Sequence, residues 1–336
     1  MTPLETSVDA AALHNDALVA DISFTWMEVG DEKKKLASLP RFKTSGVNFV
    51  SLTLACDSPS LEDTVRKIAK ERNYFLSRPD EYVLVETVSD IRRAKKEGKL
   101  AIGFHFQGTE PIQRNLHMLE VYHRLGVKQM MIAYNEKNSA GDGCHERTDA
   151  GLSRFGIRMI AEMNRLGILA DVTHTGYRTT MDVFEVATAP VIFSHSNSRA
   201  LHDHPRNISD EQIRKCAASG GVVGINAVGI FLNGNNDASA QQMARHIDYV
   251  AQKVGADHVG IGLDYVYDVP ALMEMVVDHA DRWPEDGGYK VPTIDFVGPE
   301  RLPEITESLL KLGYKEHDMR KILGENWLRV AQAVWK

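Results

Sequence analysis

The sequence predicts a (β/α)8 barrel that forms one domain over residues 1–336. Short apolar runs alternate with amphipathic helical stretches along nearly the whole chain, which is typical of a parallel sheet wound with helices. No linker, internal repeat or change of composition divides the 336 residues. The alternative, a doubly wound open sheet, would want a Gly-x-Gly-x-x-Gly turn after an early strand, and none is present there.

The predicted strands are short and rich in Val, Ile, Leu, Phe or Met, as expected where both faces of a strand are buried. They are Ala17–Ile22, Val47–Leu54, Leu100–Gln107, Lys128–Tyr134, Ile168–His174, Pro190–Ser196, Gly221–Val228 and His258–Asp264.

Helix starts and ends are marked between these strands. A helix from Ser60 to Tyr74 opens with an N-cap serine that is followed three residues later by an acid. Ser209–Gln212 and Ser239–Gln242 have the capping-box pattern, in which serine and glutamine satisfy free amides at a helix start. Glycines that accept a left-handed backbone stand where four helices should end: Gly126, Gly167, Gly220 and Gly255.

Three connections are longer than a barrel needs. They are Trp26–Gly46, Asn135–Gly151 and Tyr265–Pro299, the last with a short helix around Ala271–Trp283. Each follows the C-terminal end of a strand, the face on which barrel enzymes place their active sites. We interpret these connections as the walls and the lid of a pocket.

The composition excludes several classes of protein. A net charge of −7 and a pI near 6.0 argue against nucleic-acid binding, and no apolar stretch is long enough to cross a membrane. Three cysteines are too few for a disulfide framework or a thiolate zinc site. Residues Met1–Asp16 have no basic residue and no apolar core, so we expect no secretory signal and a cytoplasmic protein.

Polar side chains stand at the C-terminal ends of the predicted strands. In a parallel barrel these ends form one ring, so residues distant in sequence can surround one cavity. Two histidines, a carboxylate and an amide in such a ring suit zinc. The residues are Asp21, Ser23 and Thr25 at the first strand, Gln107 at the third, Tyr134 at the fourth, His174 at the fifth, His195 at the sixth and Asp264 at the eighth.

Ordinary structural roles would explain the same residues. A histidine at a strand end is often a hydrogen-bonded structural residue, and Asp264 could cap the next helix. Tyr134 could be a rim aromatic, and Arg206 with Asn207 could form a solvated turn. The pattern alone leaves these alternatives open.

A series of motifs in fixed order narrows the choice. They are Asp171-Val-Thr-His174, Pro190-Val-Ile-Phe-Ser-His-Ser-Asn197, His204-Pro-Arg-Asn-Ile-Ser-Asp210, Gly220-Gly-Val-Val-Gly-Ile-Asn226, Gly260-Ile-Gly-Leu-Asp264 and Ile322-Leu-Gly-Glu-Asn-Trp-Leu-Arg329. Together they resemble the membrane (renal) dipeptidase family over nearly the whole chain. The resemblance implies a (β/α)8 barrel, a binuclear zinc centre, hydrolysis of dipeptides and related small amides, and a homodimer.

The resemblance also implies roles for residues at matching positions. His174 and His195 match the two histidines that hold one zinc ion, and Asp264 matches the carboxylate that binds the other ion and assists proton transfer. Arg206 matches the arginine that helps to hold the substrate near its carboxylate. Tyr134 stands where the family has a substrate-side histidine.

One half of the family's metal site is replaced in this sequence. The family's first strand ends in Asp-Gly-His-x-Asp, and here the stretch reads Asp21-Ile-Ser-Phe-Thr25, so that Ser23 and Thr25 replace two ligands. The bridging glutamate is Gln107. Neutral hydroxyls are poor zinc ligands, and a neutral amide cannot readily bridge two dications.

With two carboxylates fewer to offset the charge of the ions, we expect at most one zinc ion and possible absence of metal. Its ligands would be His174, His195, Gln107 and Asp264. A His-x-Asp spelling also occurs at His14-Asn15-Asp16, but it precedes the first strand and so should lie at the opposite end of the barrel. His105 shares a strand face with Gln107 and is either a compensating ligand or, more simply, a packed interior histidine.

The first hypothesis is therefore a mononuclear zinc hydrolase that cleaves a dipeptide or small amide with a carboxylate. Asp264 would act as general base and Tyr134 would donate to the oxyanion, while Arg206, Tyr134, Ser23 and Thr25 would bind the substrate. The alternative is a repurposed enzyme, a lyase, hydratase or isomerase that acts on a small carboxylate-bearing metabolite. A catalytically silent homologue is the third hypothesis.

Overall fold

Parallel strands form the sheet of the computed structural model, which describes residues 9–27 and 30–336. In the described residues the strands are β1 (Val19–Phe24), β2 (Val47–Cys56), β3 (Tyr82–Leu84), β4 (Leu100–Gln107), β5 (Val127–Met131), β6 (Leu169–Asp171), β7 (Val191–Ile192), β8 (Val223–Ile225) and β9 (Val259–Ile261).

The sheet curls into the predicted barrel. Hydrogen-bonded neighbours follow the order β1-β2-β4-β5-β6-β7, and β8 pairs with β9. A parallel bridge between Phe193 and Val223 joins β7 to β8, and another between Phe24 and Tyr265 joins the chain after β9 to β1. The short β3, which we did not predict, pairs with the first residues of β4.

Several predicted strands continue beyond the hydrogen-bonded ladder. The fifth pairs over Leu169–Asp171 instead of Ile168–His174, and the sixth over Val191–Ile192 instead of Pro190–Ser196. The reason is that the Asp171 carboxylate accepts hydrogen bonds from the backbone amides of Thr173 and Ser194, at 3.0 and 3.1 Å, which withdraws these amides from the ladder. The polar strand ends are therefore free to turn into the site.

Helices surround the barrel as expected. They are α1 (Ala10–Asp16), α2 (Glu32–Thr44), α3 (Leu61–Leu76), α4 (Val88–Lys96), α5 (His117–Arg124), α6 (Arg154–Leu166), α7 (Tyr177–Val186), α8 (Asp210–Ala218), α9 (Gly229–Leu232), α10 (Ala240–Val254), α11 (Val269–Asp278), α12 (Leu302–Lys311), α13 (Glu316–Arg320) and α14 (Asn326–Val334), with a π-helical turn at Lys321–Glu325. In the described residues none is long and apolar enough to cross a bilayer.

The predicted helix starts at Ser60 and Ser209 are confirmed, and the predicted capping box at Ser239 is only half formed. The Ser60 hydroxyl accepts from the amide of Asp63, and Ser209 forms the full capping box with Gln212. Ser239 caps its helix through its hydroxyl, whereas the Gln242 side-chain oxygen has no partner among the described residues.

Two connections differ from their description as loops. The connection Trp26–Gly46 is mostly the helix α2, and the helix in Tyr265–Pro299 spans Val269–Asp278 rather than Ala271–Trp283. Residues 28 and 29 of the first connection, and residues 1–8 of the segment expected not to be a secretory signal, lie outside the described residues.

The C-terminal helix closes the N-terminal end of the barrel. The Trp327 ring stacks on Phe49 with centroids 4.4 Å apart. Gly324 is required there, because a Cβ at this position would lie 2.5 Å from the carbonyl oxygen of Leu18. His14 lies at the same end, as predicted, and its two ring nitrogens bond to Thr306 and to the carbonyl of Ser45. The opposite end of the barrel is left for the site.

Candidate active site

A cavity of about 220 Å³ lies at the C-terminal ends of the strands. Its floor is polar and comes from the barrel: Thr25, Thr53, Gln107, Tyr134, His174 and Asp264. Its wall is largely apolar and comes mainly from the connection after β9: Leu272, Met275, Val276, Trp283, Tyr289, Ile294 and Phe296, with Phe231 beside them. The barrel thus supplies the chemically active groups, and the long connection supplies their cover.

The structure brings most of the predicted site residues together. Thr25, Gln107, Tyr134, His174 and Asp264 line the cavity directly. Three others do not line it: Ser23 contacts Gln107, His195 contacts His174, and Arg206 lines a neighbouring cavity of about 200 Å³ that shares His174 as a wall.

The two histidines face each other through their Nε2 atoms, which are 3.0 Å apart. The side-chain nitrogen of Asn135 donates to the carbonyl of Arg282 at 3.0 Å, so the Asn135 oxygen is left to accept from Nδ1 of His174 at 2.6 Å. This network assigns the proton of His174 to Nδ1 and leaves its Nε2 as an acceptor. Nδ1 of His195 lies 2.8 Å from the Ser194 hydroxyl.

Burial holds the pKa of both histidines well below the usual range, and the positive charge of Arg206 lowers it further. Both imidazoles are therefore neutral at neutral pH. Neutral imidazole is the form that binds a metal ion.

Asp264 lies beside the histidine pair, with Oδ2 3.9 Å from Nε2 of His195. The Thr25 hydroxyl donates to its Oδ1 and the Asn226 amide to its Oδ2, both at 3.1 Å. Burial raises the pKa of Asp264 to about 6, although Arg206 and the two hydrogen bonds oppose this rise. The carboxylate is thus ionised at neutral pH and still basic enough to accept a proton.

The remaining floor residues hydrogen-bond mainly to one another. The Gln107 amide donates to the hydroxyls of Thr53 and Ser23, at 3.0 and 3.4 Å. The Thr53 hydroxyl in turn donates to the carbonyl of Phe24 at 3.1 Å. Hydroxyl and amide groups here satisfy each other without an ion.

His105 lies below this network and is fully buried. Because the Thr53 hydroxyl already donates its proton to a carbonyl, Nε2 of His105 donates to Thr53, and Nδ1 accepts from Ser51. Burial lowers the pKa of His105 to about 3. With both nitrogens occupied, it has the contacts of a packed interior histidine.

Asp21 is a buried carboxyl group next to the network of Ser23 and Gln107. It is fully buried in β1, and its Oδ1 accepts from the amides of Leu263 and Ser23, at 2.8 and 3.3 Å. Its Oδ2 has no partner among the described residues. Burial raises the pKa of Asp21 to about 8, and the charge of Asp264 raises it further. This carboxyl group is therefore mostly protonated at neutral pH.

The donor set suits one metal ion better than two. Nε2 of His174 and Nε2 of His195 are two suitable ligand atoms, and Asp264 is the nearest carboxylate. In residues 9–27 and 30–336, however, no three His, Cys, Asp or Glu side chains converge as a complete metal site. The other half of the floor is neutral and internally hydrogen-bonded, so it offers no anionic ligand to a second ion.

Arg206 and Tyr134 flank the histidine pair. Arg206 is buried, one of its terminal nitrogens donates to the carbonyl of His195 at 3.4 Å, and its Nε has no partner among the described residues. A buried cation with a free donor is suited to hold an anion. The Tyr134 ring stacks on His174 with centroids 4.1 Å apart, and burial raises its pKa, so the phenol keeps a proton to donate.

Three residues that contact the site were not singled out from the sequence: Asn135, Asn226 and Asp57. Asp57 follows β2 and accepts from the backbone amides of Thr109 and Tyr134, at 2.7 and 2.9 Å, so it joins two loops around the site. Asn135 directly follows the predicted strand Lys128–Tyr134, Asp57 lies three residues after the predicted strand Val47–Leu54, and Asn226 interrupts an apolar strand. Inspecting three residues beyond each predicted strand end would have found Asn135 and Asp57.

Comparison with known proteins places the sequence beside a known family. Residues 3–281 match the membrane dipeptidase family (peptidase family M19). An uncharacterized dipeptidase of Schizosaccharomyces pombe is 32% identical over 239 residues, which are 66% of this chain and 58% of that protein. The chain thus matches little more than half the length of this curated relative.

Solved structures share the whole barrel. An amidohydrolase from Pseudomonas aeruginosa is 32% identical, with a TM-score of 0.87 over 98% of this chain and 99% of that one. A metallopeptidase from Rhodobacter sphaeroides, liganded with a phosphinate mimic of the dipeptide L-Ala-D-Ala, is 22% identical, with a TM-score of 0.78 over 95% of this chain and 100% of that one. The similarity to the Rhodobacter sphaeroides structure supports the assignment of the fold alone. The family match over residues 3–281, on a barrel of this architecture, shows that the chain belongs to the membrane dipeptidase family.

Proposed function

We propose that this protein is a zinc-dependent hydrolase that cleaves a dipeptide or small amide carrying a carboxylate, and that it uses one ion. The observation that carries the proposal is the pair of buried, neutral histidines whose Nε2 atoms lie 3.0 Å apart. Family membership and the dipeptide mimic bound by the Rhodobacter sphaeroides metallopeptidase support the substrate class.

His174 and His195 would hold the ion, with Asp264 as the nearest carboxylate and Gln107 as a source of a carbonyl oxygen. When bound, such an ion supplies Lewis-acid activation of water and of the scissile carbonyl. The remaining chemistry comes from the chain itself.

Asp264 accepts the proton of the attacking water, because its pKa of about 6 leaves it ionised and basic at neutral pH. Tyr134 donates a hydrogen bond to the oxyanion that develops on the carbonyl. Arg206, with its free Nε, attracts the carboxylate of the substrate from the neighbouring cavity that shares His174 as a wall. Thr25 binds the substrate at the polar floor, and Ser23 acts through its contact with Gln107. The apolar wall around Trp283 favours a substrate that carries an apolar side chain at the end away from its carboxylate.

The proposal also covers the domain organisation, oligomeric state, location and partners of the enzyme. We expect one domain over residues 1–336, a homodimer, a cytoplasmic location, and partners limited to small molecules, without nucleic acid or membrane.

Purified protein supplemented with ZnCl2 tests the proposal through elemental analysis and a panel of dipeptides and N-acyl amino acids. We expect about one zinc per chain and hydrolysis of apolar substrates. Asp264→Asn should lower kcat by roughly 10²–10⁴-fold, the usual contribution of a general base. Asp203→Asn is the matched control, because the Asp203 side chain is 93% exposed. Protein that stays free of metal and inert on the panel would overturn the proposal.

A second candidate is a lyase, hydratase or isomerase that acts on a small carboxylate-bearing metabolite without metal. The neutral hydroxyl and amide network around Gln107, and the absence of a complete three-ligand site in the described residues, favour it. This candidate would be selected if the protein converts such a metabolite in the presence of excess chelator and does not hydrolyse dipeptides.

A further inference from the structure

Asn135 occupies the junction between the catalytic floor and its cover. It directly follows Tyr134, is fully buried, and has a left-handed backbone with φ 60°. Asparagine accepts this conformation more readily than most residues. The position is therefore built to place a short amide side chain in a confined space.

The two ends of this amide serve two different partners. Its oxygen accepts from Nδ1 of His174 at 2.6 Å, and its nitrogen donates to the backbone carbonyl of Arg282 at 3.0 Å. Cys144 adds a weak donor to the same oxygen, with Sγ 3.5 Å away. Asn135 thus connects His174 of the floor to Arg282, which lies 147 positions after Asn135 in the chain.

Arg282 belongs to the segment that covers the cavity, residues 269–283, which we call the lid segment. Its side chain anchors the segment, since Nε of Arg282 donates to the carboxylate of Glu136 at 2.8 Å. The neighbouring Trp283 packs against Tyr134, with ring centroids 6.1 Å apart. The end of the lid segment therefore docks on residues 134–136.

The backbone of Asn135 has little room to shift. Its carbonyl accepts from the amide of His145 at 2.8 Å, and Gly143 packs so closely that a Cβ there would lie 2.1 Å from the Asn135 carbonyl carbon. Rotation of the side-chain amide is then the freedom that remains.

We propose that Asn135 is a positioning residue that couples docking of the lid segment to the orientation and tautomer of His174. With the Arg282 carbonyl in place, the amide nitrogen must face the lid segment and the oxygen must face His174. The proton then stays on Nδ1, and the Nε2 lone pair points towards His195. The use of that lone pair to hold zinc rests on the proposed function.

When the Arg282 carbonyl is displaced, the amide loses the contact that orients it. It can turn by 180° and present its nitrogen to Nδ1, a position where the neutral imidazole must accept a hydrogen bond. The imidazole proton then resides on Nε2, and the lone pair that faces His195 is lost. A displaced lid segment would in this way disable the histidine pair.

The test is a double-mutant cycle on the full chain that combines Asn135→Asp with Arg282→Ala. The carboxylate introduced by Asn135→Asp can still accept from Nδ1 of His174 but has no donor for the lid segment, so it holds the tautomer without the lid. Arg282→Ala removes the anchor to Glu136. Arg66→Ala is the control, because Arg66 forms an arginine–glutamate ion pair with Glu62 on the surface, away from the site.

The primary readout is the tautomer of His174, from long-range ¹H–¹⁵N spectra of zinc-free protein labelled with ¹⁵N-histidine. The second is affinity for Zn²⁺ by calorimetry. We expect Arg282→Ala and Asn135→Ala each to populate the Nε2-protonated form and to weaken Zn²⁺ binding by about 10- to 100-fold, the usual effect of losing such a support. We expect Asn135→Asp to restore both properties, and Arg282→Ala to have no further effect when it is added to Asn135→Asp.

Two results would overturn the coupling. The first is an Nδ1-protonated His174 in Asn135→Ala, and the second is an equal effect of Arg282→Ala with and without Asn135→Asp. Because the tautomer is measured without zinc, a protein that never binds zinc would overturn the proposed function while the spectra still decide the role of Asn135.

Discussion

The polar floor has two halves that are built in opposite ways. In the histidine half, His174 and His195 keep their Nδ1 atoms occupied and turn their Nε2 atoms towards each other. In the hydroxyl half, formed by Ser23, Thr25, Thr53 and Gln107, the donors are spent largely on one another and on Asp264. The first arrangement directs the Nε2 lone pair of His174 at His195, whereas the second uses its donors within its own network.

The contrast extends to charge. The hydroxyl half has neutral side chains, and the buried carboxyl group next to it, Asp21, has a pKa raised to about 8 by burial. It is therefore close to uncharged at neutral pH. A second divalent cation in this half would have no negative side chain within it to offset its charge, and burying an unpaired charge is energetically costly.

The largest effect should follow from breaking the histidine half. His174→Ala or His195→Ala removes one of two nitrogen ligands, and we expect Zn²⁺ affinity to fall by roughly 100-fold or more, given binding energies of about 10–16 kcal/mol for complete sites. Calorimetry measures this directly. His317→Ala is the control, because the His317 side chain is 69% exposed on α13. Unchanged zinc affinity in both variants would place the metal elsewhere.

A second prediction rebuilds the hydroxyl half. The triple variant Ser23→His, Thr25→Asp and Gln107→Glu introduces a histidine and two carboxylates, so we expect the zinc content to rise from about one ion per chain to about two. Elemental analysis after supplementation gives the ratio, and Gln107→Glu alone is the intermediate control. A folded triple variant that gains no metal would contradict the alignment of these three positions.

The smallest predicted effect concerns Asp21. Its pKa in the folded chain, about 8, exceeds the usual value of 3.8, so the folded state binds more protons between these pH values and becomes less stable as pH rises. Asparagine cannot lose a proton, so Asp21→Asn should gain stability relative to the parent from pH 5 to 8, by about 3–4 kcal/mol.

Urea unfolding of both proteins at pH 5, 6.5 and 8 measures this difference. Curves that stay parallel across the three pH values would show that Asp21 is already ionised in the folded chain. The hydroxyl half would then carry a negative charge, and the contrast between the two halves would weaken.

Much of the fold was predictable because the barrel strands are continuous apolar runs that end in polar residues. His174, His195 and Asp264 could be placed in one ring for that reason. The strand ends could not be placed, since the contacts that shorten β6 and β7 come from the Asp171 side chain. The strand β3 was missed because three residues carry too little periodicity.

The partnership of Asn135 with Arg282 was beyond prediction for a different reason. It depends on a backbone carbonyl in a distant connection, and carbonyls leave no mark in a sequence. The tautomer of His174 follows from the same contact, so it too could be assigned only from the three-dimensional structure.

The left-handed backbone at Asn135, His174 and Asp264, with φ of 60°, 65° and 52°, sets a limit on laboratory evolution. Asparagine, aspartate and histidine accept this conformation more readily than most residues, and glycine accepts it freely. Glycine would, however, delete a hydrogen-bonded side chain and leave its buried partners unpaired, at a cost of about 1–3 kcal/mol each. Libraries screened for heat resistance alone should therefore keep these three side chains and exclude β-branched residues at their positions.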